Sequence, residues 1–190
     1  ADVHVRDNDG RTALDWAGSI GSVNAVKALL AVGADVHVRD HENRTALHGA
    51  ARSGSVNTVK ALLASGADVH VRDNDNRTAL HGAGSFGSAD TVKALLAADA
   101  DAHARDNHGR TAVHGEGESG SVDAVKALLA AGADVHVRDN DNRTALHGAA
   151  RSGSVNTVKA LLAAGADVHV RDNDGRTALD WAGSIGSVNA

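Results

Sequence analysis

The heptapeptide ADVHVRD stands at positions 1, 34, 67, 133 and 166, and a variant, ADAHARD, fills the gap at 100, so that every step is 33 residues. The 190 residues therefore read as five full periods, 1–33, 34–66, 67–99, 100–132 and 133–165, and an incomplete sixth, 166–190. This constrains the fold more than any other feature of the chain. A unit of that size cannot bury its own apolar face, and only stacking against neighbours closes a core. The expected fold class is an all-α repeat solenoid, and 1–190 reads as a single array.

The first 25 residues are identical to the last 25, the sixth period stops inside its second helix, and there is no Met. The natural reading is a duplicated unit of five periods, with the chain a segment of a longer one. Composition agrees with thin layers rather than one thick core: with two Trp, one Phe and no Tyr or Met, the interior has to be built from Ala, Val and Leu.

Within one period, 34–66, Thr45 is placed to cap a short helix from Ala46 to about Arg52, ended by Gly54. Ser55 is placed to cap a second helix, in which Val56, Val59, Leu62 and Leu63 make one apolar stripe. Gly66 supplies the left-handed residue that ends it. The remainder, ADVHVRDHENR, alternates apolar and polar residues before a polar turn, and reads as an extended β-finger. Each period is thus finger, helix, turn, helix.

The 33-residue length, RTALHGAA, the SGS before the second helix and VKALLASGADV together resemble the ankyrin repeat over the whole chain. That resemblance implies a stack of helix pairs with projecting fingers, used for protein recognition and not for catalysis. It also implies that His48, His81, His114 and His147 are structural hydrogen-bonding residues. The family's Pro after Thr is replaced by Ala13, Ala46, Ala79, Ala112, Ala145 and Ala178. A family Leu is replaced by Gly49, Gly82, Gly115 and Gly148, each expected to cost roughly 1 kcal/mol inside a helix. Period 100–132 departs furthest. Glu116 takes a position held by Ala50, Ala83 and Ala149, and Asp99, just upstream, stands where Gly33, Gly66, Gly132 and Gly165 end second helices. Local opening is expected around residues 98–120.

The formal charge is −5, with both signs spread along the sequence. No basic stripe and almost no aromatic residues are available for phosphates and bases, so no nucleic acid partner is expected. No apolar run approaches the length of a membrane span. No nucleophile, base and orienting group arrive together, and GAGSFG and GEGESG lack the Lys of a phosphate loop, so no catalytic residue is assigned.

Twelve His invite a metal reading. Six of them, His4, His37, His70, His103, His136 and His169, form a ladder whose rungs lie about 8–10 Å apart if the helices pack normally. Zinc needs its nitrogens about 2.0–2.1 Å from one ion, so no metal and no cofactor are expected.

Candidate partner-binding residues are apolar side chains off the buried stripe: Trp16 and Trp181 on the first helices, with Ile20, Phe86 and Ile185 at the helix–turn position. Exposed aromatic residues of this kind anchor partners, although each Trp could equally fold back over a neighbouring repeat. Two functions remain: an interaction scaffold for a protein partner, or a structural array whose uncapped repeats associate end to end into a fibre.

Overall fold

The computed structural model describes residues 2–86 and 88–186, with side chains up to residue 183. Eleven helices are present among them: α1 (Ala13–Ser19), α2 (Val23–Ala31), α3 (Ala46–Arg52), α4 (Val56–Ala64), α5 (Ala79–Phe86), α6 (Ala89–Ala97), α7 (Ala112–Ser119), α8 (Val122–Ala130), α9 (Ala145–Ser152), α10 (Val155–Ala163) and α11 (Ala178–Gly186). The fold is a helical repeat solenoid. Its residues group into two compact units, one of residues 1–83 and 90–101, the other of residues 84–89 and 102–190.

In the first unit α1 packs on α3 and α2 on α4, while α1–α2 and α3–α4 are hairpins. The second unit repeats the scheme: α7 on α9, α9 on α11, α8 on α10, with hairpins α7–α8 and α9–α10. Each unit thus has a layer of first helices and a layer of second helices, and the apolar stripe of each lies between them. Leu14, Leu47, Leu80, Val113 and Leu146 are all buried at one position of the period, and Val26, Val59, Val92 and Val125 at another.

Second helices end as their sequence requires. Gly33 adopts φ +88°, and the Ala34 N–H closes on the Leu29 carbonyl, a C-terminal motif repeated at Ala67, Ala133 and Ala166. Ser55 sits at the N-cap of α4, but its hydroxyl bonds the Gly21 carbonyl and the Thr58 hydroxyl instead of the helix backbone. It ties two hairpins together rather than capping one.

The finger is not a β-ribbon: no strand occurs among the described residues. Each finger is a turn closed by its own Asp. Asp40 Oδ1 accepts the backbone N–H groups of Glu42 and Arg44, and the Asp40 N–H bonds the Arg44 carbonyl. The turn consumes backbone groups that a ladder would need. Successive turns share one backbone bond, His41 N–H to Asp9 O and Asn74 N–H to Glu42 O in the first unit, Asn140 N–H to His108 O and Asn173 N–H to Asp141 O in the second. The third residue after the Asp has positive φ, which explains why it is always Gly or Asn: Gly10 at +78°, Asn43 at +59°, Gly109 at +74° and Asn142 at +59°.

Three of the four glycines that replace a family Leu have a packing reason. A Cβ on Gly49 would lie 2.6 Å from Ser19 Oγ, one on Gly115 3.0 Å from the Ser85 backbone N, and one on Gly148 2.9 Å from Glu118 Cγ. Neighbouring first helices leave little space there for a side chain, whereas at Gly82 the nearest atom would be 3.6 Å away and the expected propensity cost stands.

Candidate functional site

The surface built by the turns and the first helices carries most of the polar chemistry of each unit. Four first helices begin with Thr and, three residues on, His. The Thr45 N–H donates to His48 Nδ1 at 3.2 Å. Because that backbone group can only donate, Nδ1 accepts and the ring proton lies on Nε2, which donates to the Arg77 carbonyl at 3.3 Å. His114 bonds Thr111 and Arg143 in the same way, and His147 bonds Thr144 and Arg176. These imidazoles fasten one repeat to the next. In α1 an Asp takes the His position: Asp15 Oδ2 accepts from the Thr12 N–H at 2.8 Å.

The ladder histidines are exposed in the first turn of each finger, where the N–H of His4, His37, His70, His136 and His169 donates to the Asp two residues earlier. Among the described residues no three His, Asp or Glu side chains are grouped so as to hold a metal ion.

Trp16 is 47% exposed, its indole N–H donating to Asp7 Oδ2 at 2.8 Å and the Arg11 guanidinium standing 5.2 Å from its ring centre. That indole bond is the main reason the Asp7 carboxyl is held below its ordinary range, helped by the Arg11 backbone N–H. Ile20 at the end of α1 and Phe86 at the end of α5 are also exposed. The Ile185 side chain lies outside the described residues.

Trp181 is only half-exposed. Its indole N–H bonds Asp172 Oδ2 at 2.8 Å, and three guanidinium groups surround its ring: Arg143 and Arg176 at 5.0 Å, and Arg151 at 5.3 Å. Burial pushes the Asp172 carboxyl up, but the Arg176 backbone N–H and the Trp181 indole outweigh it and hold the group below its ordinary range. The cavity beside Trp181, shared with His114, Glu118 and His147, is about 20 Å³, room for a single water and not for a small-molecule ligand.

The predicted anchors stand on separate elements: Trp16 lies on α1 and Ile20 at its C-cap, Phe86 ends α5 and Trp181 lies on α11. Sequence reasoning does not single out Arg143 and Arg151, which stack on Trp181. The available signal is positional: both belong to the period immediately before the Trp.

Among the described residues, no helix is long and apolar enough to cross a membrane. A family profile for ankyrin repeats matches in three copies, over residues 1–73, 47–139 and 115–190. No curated protein matches the sequence. With the profile covering the whole chain and helix pairs recurring throughout, the chain belongs to the ankyrin repeat family.

Proposed function

We propose that the chain is a non-catalytic scaffold that binds a protein partner, with Trp16, Ile20, Phe86, Trp181 and Ile185 as its anchors. Ankyrin repeats are in general protein-interaction modules and typically lack catalysis. We further read the chain as six 33-residue repeats in one array, the last incomplete.

One observation carries the assignment of the anchors. Ile20 is 74% exposed and Phe86 57% exposed, at a period position where Ser53, Ser119 and Ser152 serve equally well. The end of α3 forms with Ser53 as that of α1 does with Ile20, so an apolar side chain is not required there, and exposed apolar surface of this kind marks contact with a partner.

The test uses the Ser that other repeats already carry. A partner captured from the native source and then purified should bind the I20S/F86S variant about ten-fold more weakly or worse. Unchanged affinity, with both proteins folded, would remove the anchor assignment.

A second reading, repeats stacking into a longer solenoid or head-to-tail fibre, is supported by the near-constant turns DNDG, DHEN, DNDN and DNHG, which offer little variety to a single irregular partner. Electron microscopy of native material separates the two: continuous fibres favour stacking, and separate short rods favour the scaffold.

A further inference from the structure

Every lysine in the chain, Lys27, Lys60, Lys93, Lys126 and Lys159, stands at the fifth position of a second helix. Charge that looks evenly spread in the linear sequence is thus sorted by the fold. Lys93 pairs with Asp90 at 3.7 Å. The other four are exposed and have no hydrogen bond or ion pair among the described residues. Arginines on the turn side are employed differently: Arg44 pairs with Asp40, Arg110 with Asp106 and Arg143 with Asp141. Four ammonium groups without a carboxylate partner therefore stand on the second helices, with one Asp, Asp123, three residues before Lys126 on α8.

In the first unit, α2 and α4 border an open groove of about 470 Å³ lined by Val23, Lys27, Asn57, Lys60 and Ala61. In the second, α8 and α10 border one of about 490 Å³ lined by the equivalent positions, Val122, Lys126, Asn156, Lys159 and Ala160. Both have a floor of small apolar groups with one amide, two lysines contributed by adjacent helices, and no carboxylate in the lining.

We propose that each groove docks an acidic amphipathic helix of a partner protein, with carboxylates two turns apart pairing with the two lysines. Charge complementarity selects an anionic partner. Spacing selects a helix: neighbouring helices pack about 8–10 Å apart, and residues two turns apart on a helix lie on one face about 10.5 Å apart. The Ala and Val of the lining offer apolar contact to small side chains lying between those carboxylates. This surface shares no residue with the Trp16, Phe86 and Trp181 anchors, so either assignment can fail without the other.

The probe is a fluorescent, alanine-based helical peptide with glutamates two turns apart, titrated by anisotropy against the full chain at low and high salt. One peptide per groove is expected, with affinity falling as salt rises. K27E/K60E removes one site and K126E/K159E the other, and all four reversals together weaken binding about ten-fold or more. These lysines are exposed, and unchanged circular dichroism checks that the variants fold. Equal binding of a glutamine version of the peptide, or of the four-fold variant, would overturn the proposal. So would failure of the peptide to bind while anionic phospholipid vesicles do, which would identify an unspecific charged surface.

Discussion

The Ser119 hydroxyl donates to Oε2 of Glu116 at 3.1 Å, while Oε1 of the same carboxyl is buried without a hydrogen-bond partner. Glu116 has no exposed surface, at a position where Ala50, Ala83 and Ala149 are equally buried. Burial pushes its carboxyl up to about 8, opposed only by the Ser119 hydroxyl, so the group is neutral at pH 7. The folded state then holds a proton that the unfolded state releases above its ordinary 4.5. Stability accordingly falls as pH rises from there to about 8, by an amount on the order of 5 kcal/mol as an upper limit. Glu116→Ala is expected to stabilise the chain by about 2–4 kcal/mol at pH 8.5 and by less at pH 5, in urea unfolding at both pH values. An equal gain at both would mean that the carboxyl keeps an ordinary affinity for its proton.

An acid limb is expected from His48 and His114. Burial, above all, holds both imidazoles below their ordinary 6.5, against the pull of the carbonyls and carboxylates around them. As pH falls through 6.5 the unfolded chain takes up protons first, so stability present above that value is lost below it. A proton on His48 Nδ1 would also face the Thr45 N–H, donor against donor. Asn can accept from the Thr but cannot reproduce the imidazole bridge to the next repeat. H48N/H114N should therefore lower stability by about 1–2 kcal/mol at pH 7.5 and flatten its decline between pH 6.5 and 5. Thermal melts across that range check both.

The period made the helices legible: the helix read over Ala46 to about Arg52 is α3, and of the stripe Val56, Val59, Leu62 and Leu63 the middle two are fully buried and the outer two partly. What stayed hidden depends on residues one period away. The Trp181 ring lies among Arg143, Arg151 and Arg176, and only the last of these belongs to its own period, so no local reading of the stretch around it finds the other two. Gly49 reads as a loss because helix propensity concerns one helix, whereas its packing partner, Ser19, belongs to α1, the first helix of the period before. Alternation in the finger suggested a strand, but an Asp that accepts two N–H groups of its own turn leaves no ladder to form. The lysine grooves were readable in principle, once the sequence is aligned at its period rather than along its length.

Asp99 ends α6 at φ +68°, in a place where Gly33, Gly66, Gly132 and Gly165 take φ near +90°. The Ala100 N–H still closes on the Leu95 carbonyl, so the motif is kept and its strain falls on Asp99. Asp99→Gly is expected to add about 0.5–1 kcal/mol. Amide hydrogen exchange should slow locally around residues 98–120. Unchanged exchange there would mean that the segment is not opened by this residue.

Two glycines of the first helices make opposite predictions for the same substitution. A Cβ on Gly117 would lie 2.5 Å from the Ala145 carbonyl oxygen, a backbone atom of α9 that cannot swing aside. On Gly82 the nearest atoms, Arg52 N and His48 O, would be 3.6 and 3.7 Å away, ordinary contact. In both, Ala improves helix propensity by about 1 kcal/mol. Gly82→Ala keeps that gain. In Gly117→Ala the displacement of α9 costs about 1–3 kcal/mol and reverses it. Ala51 and Ala150 occupy the position equivalent to Gly117, so the substitution shifts a neighbour rather than preventing folding. Paired denaturant melts decide the matter: a rise for Gly82→Ala with a fall for Gly117→Ala is expected. Equal rises would show that α7 and α9 do not approach as closely as Gly117 allows.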